Sequence, residues 1–254
     1  MTDKAAVVCI IPSRWESSRF PGKPLADLCG KPMIQHVYER VLRSAAVTIA
    51  AVATDDTRIF DAVAAFGGRA VMTSALHRSG TDRIAEAVRK LDVPVADDAI
   101  VVNIQGDQPT FAPSQIDEVV GPLLADPGIP MSTLIYRIRR EEEITHPNAV
   151  KVVCDRNGFA LYFSRATIPY VRDRGLAADR YKHHGIYAYR RHFLETFTRL
   201  PEGRLEKLEA LEQLRALEHG YRIRVVETPD DSVEVDTPQE LERVRRLLSG
   251  EAVP

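Results

Sequence analysis

The sequence predicts an α/β protein with a doubly wound, mostly parallel, Rossmann-like sheet, and three observations point there. Short β-branched apolar runs alternate with helical periodicities between residues 7 and 104. The first run, residues 7–11, is apolar throughout, as a strand buried on both faces must be. Polar segments follow three of the runs, at 12–23, 54–56 and 105–109. In such sheets ligands gather beyond the carboxyl ends of strands, where strand order reverses, so these segments are expected to share one edge.

The elements follow in order. After the strand at 7–11 come a helix from 32 to about 44, a strand at 48–53, a helix at 58–66, a strand at 70–72, a helix at 83–91 and a strand at 100–104. Pro12, lacking an N–H, is expected to end the first strand. The middle of the chain changes style. Strand-like segments at 132–138 and 150–154 precede a turn at 155–158 and a strand at 160–164, and so short a connection favours an antiparallel hairpin. Residues 172–180 read as a mobile charged loop, followed by a strand at 184–189. A helix from 205 to about 219 would bury Leu205, Leu208, Leu211, Leu214 and Leu217 and leave Glu206, Glu209 and Glu212 solvated. A strand at 222–226 and a last helix complete the chain. Residues from about 130 to 220 therefore read as a smaller mixed α+β lobe inside one domain spanning 1–254, placed to cover the sheet edge, carry acceptor-binding groups or pair two subunits.

Composition narrows the class. A chain of 254 residues, 44% hydrophobic and 28% charged, buries roughly 70–75% of its unfolded surface without staples. Its net charge of −2 advertises no broad basic field, so nucleic acid is not an expected partner and any anion site must be local. Cys9, Cys29 and Cys154 form no Cys-x-x-Cys pair and read as reduced thiols in or near the core. The first residues do not fit a secretory signal and no segment approaches a membrane span, so a cytoplasmic enzyme is expected. The tail 249–254 is expected to fray.

The most informative segment follows the first strand: Ile11-Pro-Ser-Arg-Trp-Glu-Ser-Ser-Arg-Phe-Pro-Gly-Lys-Pro-Leu25. Arg14 and Arg19 offer planar forks, Lys23 a compact ammonium and Gly22 close backbone approach, which suits a triphosphate. A surface loop with scattered cations would not combine a buried strand with a Pro-Gly-Lys-Pro turn that limits backbone freedom beforehand. The segment is not a P-loop, because Pro24 follows Lys23, and no Gly-x-Gly-x-x-Gly follows any strand. Asp107 emerges past the strand at 100–104, between Gly106 and Pro109. Thr237, Pro238 and Glu240 compose a capping box for the last helix, so the neighbouring Asp236 is not needed as a cap.

A series of motifs in fixed order resembles the 3-deoxy-manno-octulosonate cytidylyltransferases, or CMP-KDO synthetases. Beyond the loop it runs through Gly30-Lys-Pro-Met-Ile34, Ala53-Thr-Asp55, Ser79-Gly-Thr81, Asn103-Ile-Gln-Gly-Asp107 and Asn148-Ala-Val-Lys-Val-Val153. It continues through Leu161-Tyr-Phe-Ser-Arg-Ala-Thr-Ile-Pro169, His183 with Gly185-Ile-Tyr187, Leu211-Glu-Gln-Leu-Arg215 and Val235-Asp-Thr-Pro238. The resemblance implies a nucleotide-diphospho-sugar transferase type of fold, a homodimer, and transfer of CMP from CTP to an acidic eight-carbon sugar for lipopolysaccharide biosynthesis.

It also implies roles. Asp107 and Asp236 match the metal-site aspartates. Two carboxylates a few ångströms apart repel by about 4 kcal/mol at an effective dielectric of 20, and Mg²⁺, which takes one or two carboxylates plus phosphates, suits such a pair. Lys23 and Arg14 join them as catalytic residues. Pro12, Ser13, Arg14, Arg19, Lys23, Ser79, Gln105 and Gly106 would hold the nucleotide. Arg165, His183, Tyr187, Glu212 and Gln213 would hold the sugar acid. For Glu212 and Gln213 the helical pattern by itself favours a solvated position. His183 and His184, adjacent on a strand, face opposite ways and make no metal pair. His77 and Arg78 are expected to face solvent.

The family commonly has Glu where this chain has Gln108, Glu at Asp82, Gly at Glu234 and Leu at His184. These departures spare the loop and both aspartates but bear on which sugar acid is accepted. An 8-amino-octulosonate or a nonulosonic acid is the alternative acceptor, and a non-catalytic nucleotide-sensing module the alternative class. Pyrophosphate release across a panel of sugar acids separates all three.

Overall fold

The computed structural model describes residues 5–16, 20–173 and 175–249; Arg19, Arg174 of the 172–180 loop and the tail 250–254 lie outside them. The first half comprises β1 (Val7–Ser13), a 3₁₀ turn (Lys23–Leu25), β2 (Asp27–Leu28), β3 (Lys31–Pro32), α1 (Met33–Val41), β4 (Ile49–Thr54) and α2 (Thr57–Ala65). Next come β5 (Ala70–Met72), α3 (Gly80–Lys90), β6 (Ile100–Asn103), α4 (Ser114–Ala125), β7 (Met131–Arg137) and α5 (Glu141–Thr145). The rest comprises β8 (Lys151–Cys154), β9 (Ala160–Ser164), β10 (Tyr181–Arg190), α6 (Arg191–Phe197), α7 (Arg204–Glu209), α8 (Leu214–Glu218), β11 (Ile223–Glu227) and α9 (Pro238–Ser249).

One sheet runs in the order β11-β7-β10-β6-β1-β4-β5, with the antiparallel β8–β9 hairpin attached to β10. β1 pairs in parallel with β4 and β6, β4 with β5, and β11 with β7; β10 runs antiparallel to its neighbours. The chain lays β4 and β5 on one side of β1, then crosses to β6 on the other. Strand order therefore reverses between β1 and β6, and the segments after β1, β4 and β6 open onto one crevice.

Alternate residues of β1 feed two cores. Val8 and Ile10 pack with α3, α6 and α8, while Val7, Cys9 and Ile11 pack with α1, α2 and α4. Helices on both faces explain why this strand has no polar side. Burial pushes the Cys9 thiol up, away from reactivity. Cys29, by contrast with the core reading, is exposed.

Two expectations are corrected. β1 does not stop at Pro12 but pairs with β4 through Ser13. Ile10 accepts a bond from Ile104 on the β6 side, so Pro12, two residues on, turns its missing N–H to that same side, past the last β6 pair. The helix at 205–219 is in fact two short helices, because Ala210 takes φ +50° and the chain changes direction there. That break inverts the amphipathic pattern. Leu205 and Leu208 are exposed, whereas Glu206 is buried and held by Arg215 at 2.5 and 2.9 Å.

Candidate active site

The phosphate-loop candidate leaves β1 with Ser13 buried and its hydroxyl lacking a partner among the described residues. One terminal nitrogen of Arg14 is likewise buried without a partner among the described residues. Burial, then repulsion from Arg83, holds the Arg14 guanidinium below its ordinary pKa. Gly22, at φ +74°, donates its N–H to the Trp15 carbonyl at 3.0 Å and starts the 3₁₀ turn at Lys23. Arg19 lies outside the described residues.

Lys23 reaches across the crevice. Its ammonium donates to Asp107 Oδ2 at 2.8 Å and to Asp236 Oδ1 at 3.1 Å. Burial works against its charge, but the two carboxylates outweigh it and raise the Lys23 pKa. Asp107 follows β6, and Asp236 is brought to it by main chain: Val235 N–H donates to the Asp107 carbonyl at 2.9 Å. The capping box forms as the sequence implies, with Glu240 N–H to Thr237 Oγ1 at 3.3 Å and Thr237 N–H to Glu240 Oε2 at 2.9 Å. Gly106 allows a close approach, because a Cβ there would stand a tight 3.1 Å from the Pro12 carbonyl.

A third acid stands beside this cluster. Glu234 accepts from Gln108 Nε2 at 3.0 Å. Enclosure by protein atoms, then repulsion from Asp107 and Asp236, pushes its carboxyl up to about 7. The residue is nonetheless exposed, so solvent moderates the shift.

The acceptor candidates form a second wall. His183 Nε2 lies 2.9 Å from Thr133 Oγ1, and its ring packs against Phe163 and Tyr187 with centroids 5.3 and 5.1 Å apart. Glu212 accepts from Thr81 Oγ1 at 2.6 Å, while its other oxygen is buried without a partner among the described residues. Burial raises the Glu212 pKa despite hydrogen bonds from Thr81 and Ser79. The solvated position expected for Glu212 and Gln213 is therefore corrected: Gln213 is buried and its amide nitrogen is unpartnered among the described residues. Arg165 donates to the carbonyls of Glu209, Pro147 and Ala210 at 2.7, 3.1 and 3.2 Å, which leaves two of its five N–H groups for a ligand.

Van der Waals contacts at two glycines join the walls. Gly80, at the start of α3, lies against Pro12, and Gly185 of β10 lies against Gln105. Ser79 caps α3 by accepting from Asp82 N–H at 3.1 Å. His77, expected in solvent, is half-buried and bonded to Glu86, while Arg78 is exposed. Sequence reasoning missed Arg83, which is fully buried and donates to Asp55 at 2.7 Å and Thr73 at 2.6 Å, fastening the ends of β4 and β5. An arginine two residues past the Ser79–Thr81 motif, on the buried face of α3, was the available signal.

An open, mostly parallel sheet with a cationic loop and paired carboxylates at its switch point defines a nucleotide-handling α/β protein. The cytidylyltransferase family model matches residues 8–223, and the chain belongs to that family. It is 74% identical over 246 residues to a 3-deoxy-manno-octulosonate cytidylyltransferase of Syntrophus aciditrophicus, covering 97% of this chain and 98% of the relative. It is 54% identical over 246 residues to the protein of the same name from Desulfosudis oleivorans, covering 97% and 98%. Among solved structures, a CMP:2-keto-3-deoxy-manno-octonic acid synthetase complexed with CTP superposes with a TM-score of 0.91 at 46% identity, covering 98% of this chain and all of that one.

Proposed function

We propose that this enzyme transfers the cytidylyl group of CTP to 3-deoxy-D-manno-octulosonate, giving CMP-KDO and pyrophosphate for lipopolysaccharide biosynthesis. The observation that carries the proposal is the convergence of Lys23 with Asp107 and Asp236 at the switch-point crevice, in a chain so similar to a synthetase solved with CTP. The anomeric oxygen of the sugar attacks the α-phosphorus as the bond to the pyrophosphate oxygen breaks and the hydroxyl proton is released.

Two carboxylate oxygens that already share one ammonium are the hard, close-set donors Mg²⁺ takes, and phosphates would complete its shell. Asp107 and Asp236 would hold it. Bound there, it would polarise the α-phosphate and favour the alkoxide of the attacking hydroxyl. Lys23, Arg14 and Arg19 offset charge moving onto pyrophosphate. Pro12, Ser13, Ser79, Gln105 and Gly106 line the nucleotide's path. His183, Tyr187, Glu212, Gln213 and the remaining N–H groups of Arg165 orient the sugar acid, so the protein's work is chiefly positioning and charge neutralisation.

A cytoplasmic homodimer is part of this reading. It accords with the described helices, none of which is long and apolar enough to cross a membrane. The exposed Glu234 carboxyl, close to Asp107 and Asp236, favours one second reading, an amino-substituted octulosonate whose ammonium would pair with it. Pyrophosphate release measured with CTP, UTP, ATP and GTP across a panel of sugar acids tests both. Release with CTP and octulosonate supports the first reading; a marked preference for the amino sugar supports the second; no release with any sugar acid sinks both.

A further inference from the structure

Trp15, the one tryptophan of the chain, sits in the phosphate-loop candidate and packs against the edge of the second core. The Arg58 guanidinium lies 3.5 Å from the centroid of its ring. Arg58 is itself fixed, since it grips Asp56 through Nε at 2.9 Å and Nη2 at 2.6 Å. Asp56 in turn is the N-cap of α2, accepting from Arg58 N–H at 2.9 Å.

Gly22 meets the same indole. A Cβ at Gly22 would stand 3.0 Å from two atoms of the Trp15 six-membered ring, and the φ of +74° excludes most side chains independently. The Gly22 N–H is bonded to the Trp15 carbonyl at 3.0 Å, and the Gly22 carbonyl accepts from Leu25 at 2.9 Å. Lys23 is the next residue, and its ammonium spans the two aspartates. A continuous set of contacts thus leads from the start of α2, through Arg58, Trp15 and Gly22, to Lys23.

We propose that Trp15 is a positioning residue for Lys23 toward the triphosphate, with Arg58 as the clamp that fixes its ring. The inference rests on the nucleotide-binding reading of this crevice. A displacement of about 1 Å in such a group costs up to 10²-fold in rate. Arg58 is more than half exposed, so Arg58→Ala leaves both cores intact, whereas Trp15 packs against the second core, which makes the ring-keeping Trp15→Phe the necessary control.

The test compares Trp15→Ala, Trp15→Phe and Arg58→Ala in the full chain. Without ligand, acrylamide quenching of the single tryptophan in wild type and Arg58→Ala reads the clamp alone; quenching should rise in the variant, and identical quenching overturns the clamp. In steady-state pyrophosphate release, assayed well below the variant's melting temperature, Trp15→Ala should lower kcat/KM for CTP by roughly 10- to 100-fold, with KM for the sugar acid near wild type. Trp15→Phe should restore most of the loss. Wild-type kinetics in Trp15→Ala, a loss that phenylalanine does not rescue, or an equal rise in KM for both substrates overturns the role. A wild-type enzyme that binds no CTP would instead overturn the underlying functional reading, with the quenching result still standing.

Discussion

Asp107 and Asp236, which follow different strands and lie far apart in the sequence, share the single ammonium of Lys23 at 2.8 and 3.1 Å. Lys23 thereby offsets a repulsion that would otherwise act against closing the crevice. Lys23→Met should lower stability by about 1–2 kcal/mol in the absence of divalent ions, because it leaves two half-buried carboxylates facing one another. Millimolar Mg²⁺ should restore much of the loss. Thermal melts with and without MgCl₂ check this; a variant melt indifferent to Mg²⁺ would count against the aspartate pair as a cation site.

Glu212 has one oxygen bonded to Thr81 and the other buried without a partner among the described residues, which is the state of a group awaiting a hydroxyl. Glu212→Gln should raise KM for the sugar acid roughly 10- to 100-fold and leave KM for CTP nearly unchanged. Parallel increases in both constants would argue that Glu212 only braces α3.

His184 is buried with neither ring nitrogen bonded among the described residues. Burial, with Lys182 adding to it against an opposing pull from Asp231, lowers its pKa to about 4. The unfolded chain, with an ordinary value near 6.5, therefore binds the proton first. The stability His184 contributes is intact above that value and falls as pH drops from about 6.5 to about 4, by up to about 1.4 kcal/mol per pH unit. His184→Leu should be neutral or stabilising by about 1 kcal/mol at pH 7, and more so at pH 5. Urea denaturation at both pH values measures the difference, and an equal effect at the two would refute it.

Ala210 carries φ +50° between α7 and α8. Ala210→Gly should therefore be neutral or stabilising by up to about 1 kcal/mol, since glycine takes this conformation freely. In an unbroken helix the same change would cost about 1 kcal/mol. Denaturant midpoints distinguish the two signs.

Local pattern made the parallel half legible. The β5 and β9 bounds and the hairpin turn follow from β-branched runs and from Asp155 and Gly158, and the Thr237–Glu240 box follows from spacing alone. What stayed hidden depended on contacts between distant segments. Gly121 and Pro122 interrupt the periodicity that would announce α4, which packs tightly on the sheet all the same. The Leu205–Leu217 spacing fits one amphipathic helix, and nothing local in it reveals the turn at Ala210 that buries Glu206 and brings Glu212 to Thr81. The Arg58 contact with Trp15 has no spacing to read, because it joins two different crossovers.

The most direct measurement is pyrophosphate release by wild type and Asp107→Asn with CTP, Mg²⁺ and 3-deoxy-D-manno-octulosonate, alongside circular dichroism of both. Turnover by the wild type and a loss on the order of 10³-fold in a fully folded Asp107→Asn enzyme is the expected result. Wild-type-like rates in that variant would contradict the assignment of Asp107 to the reacting centre.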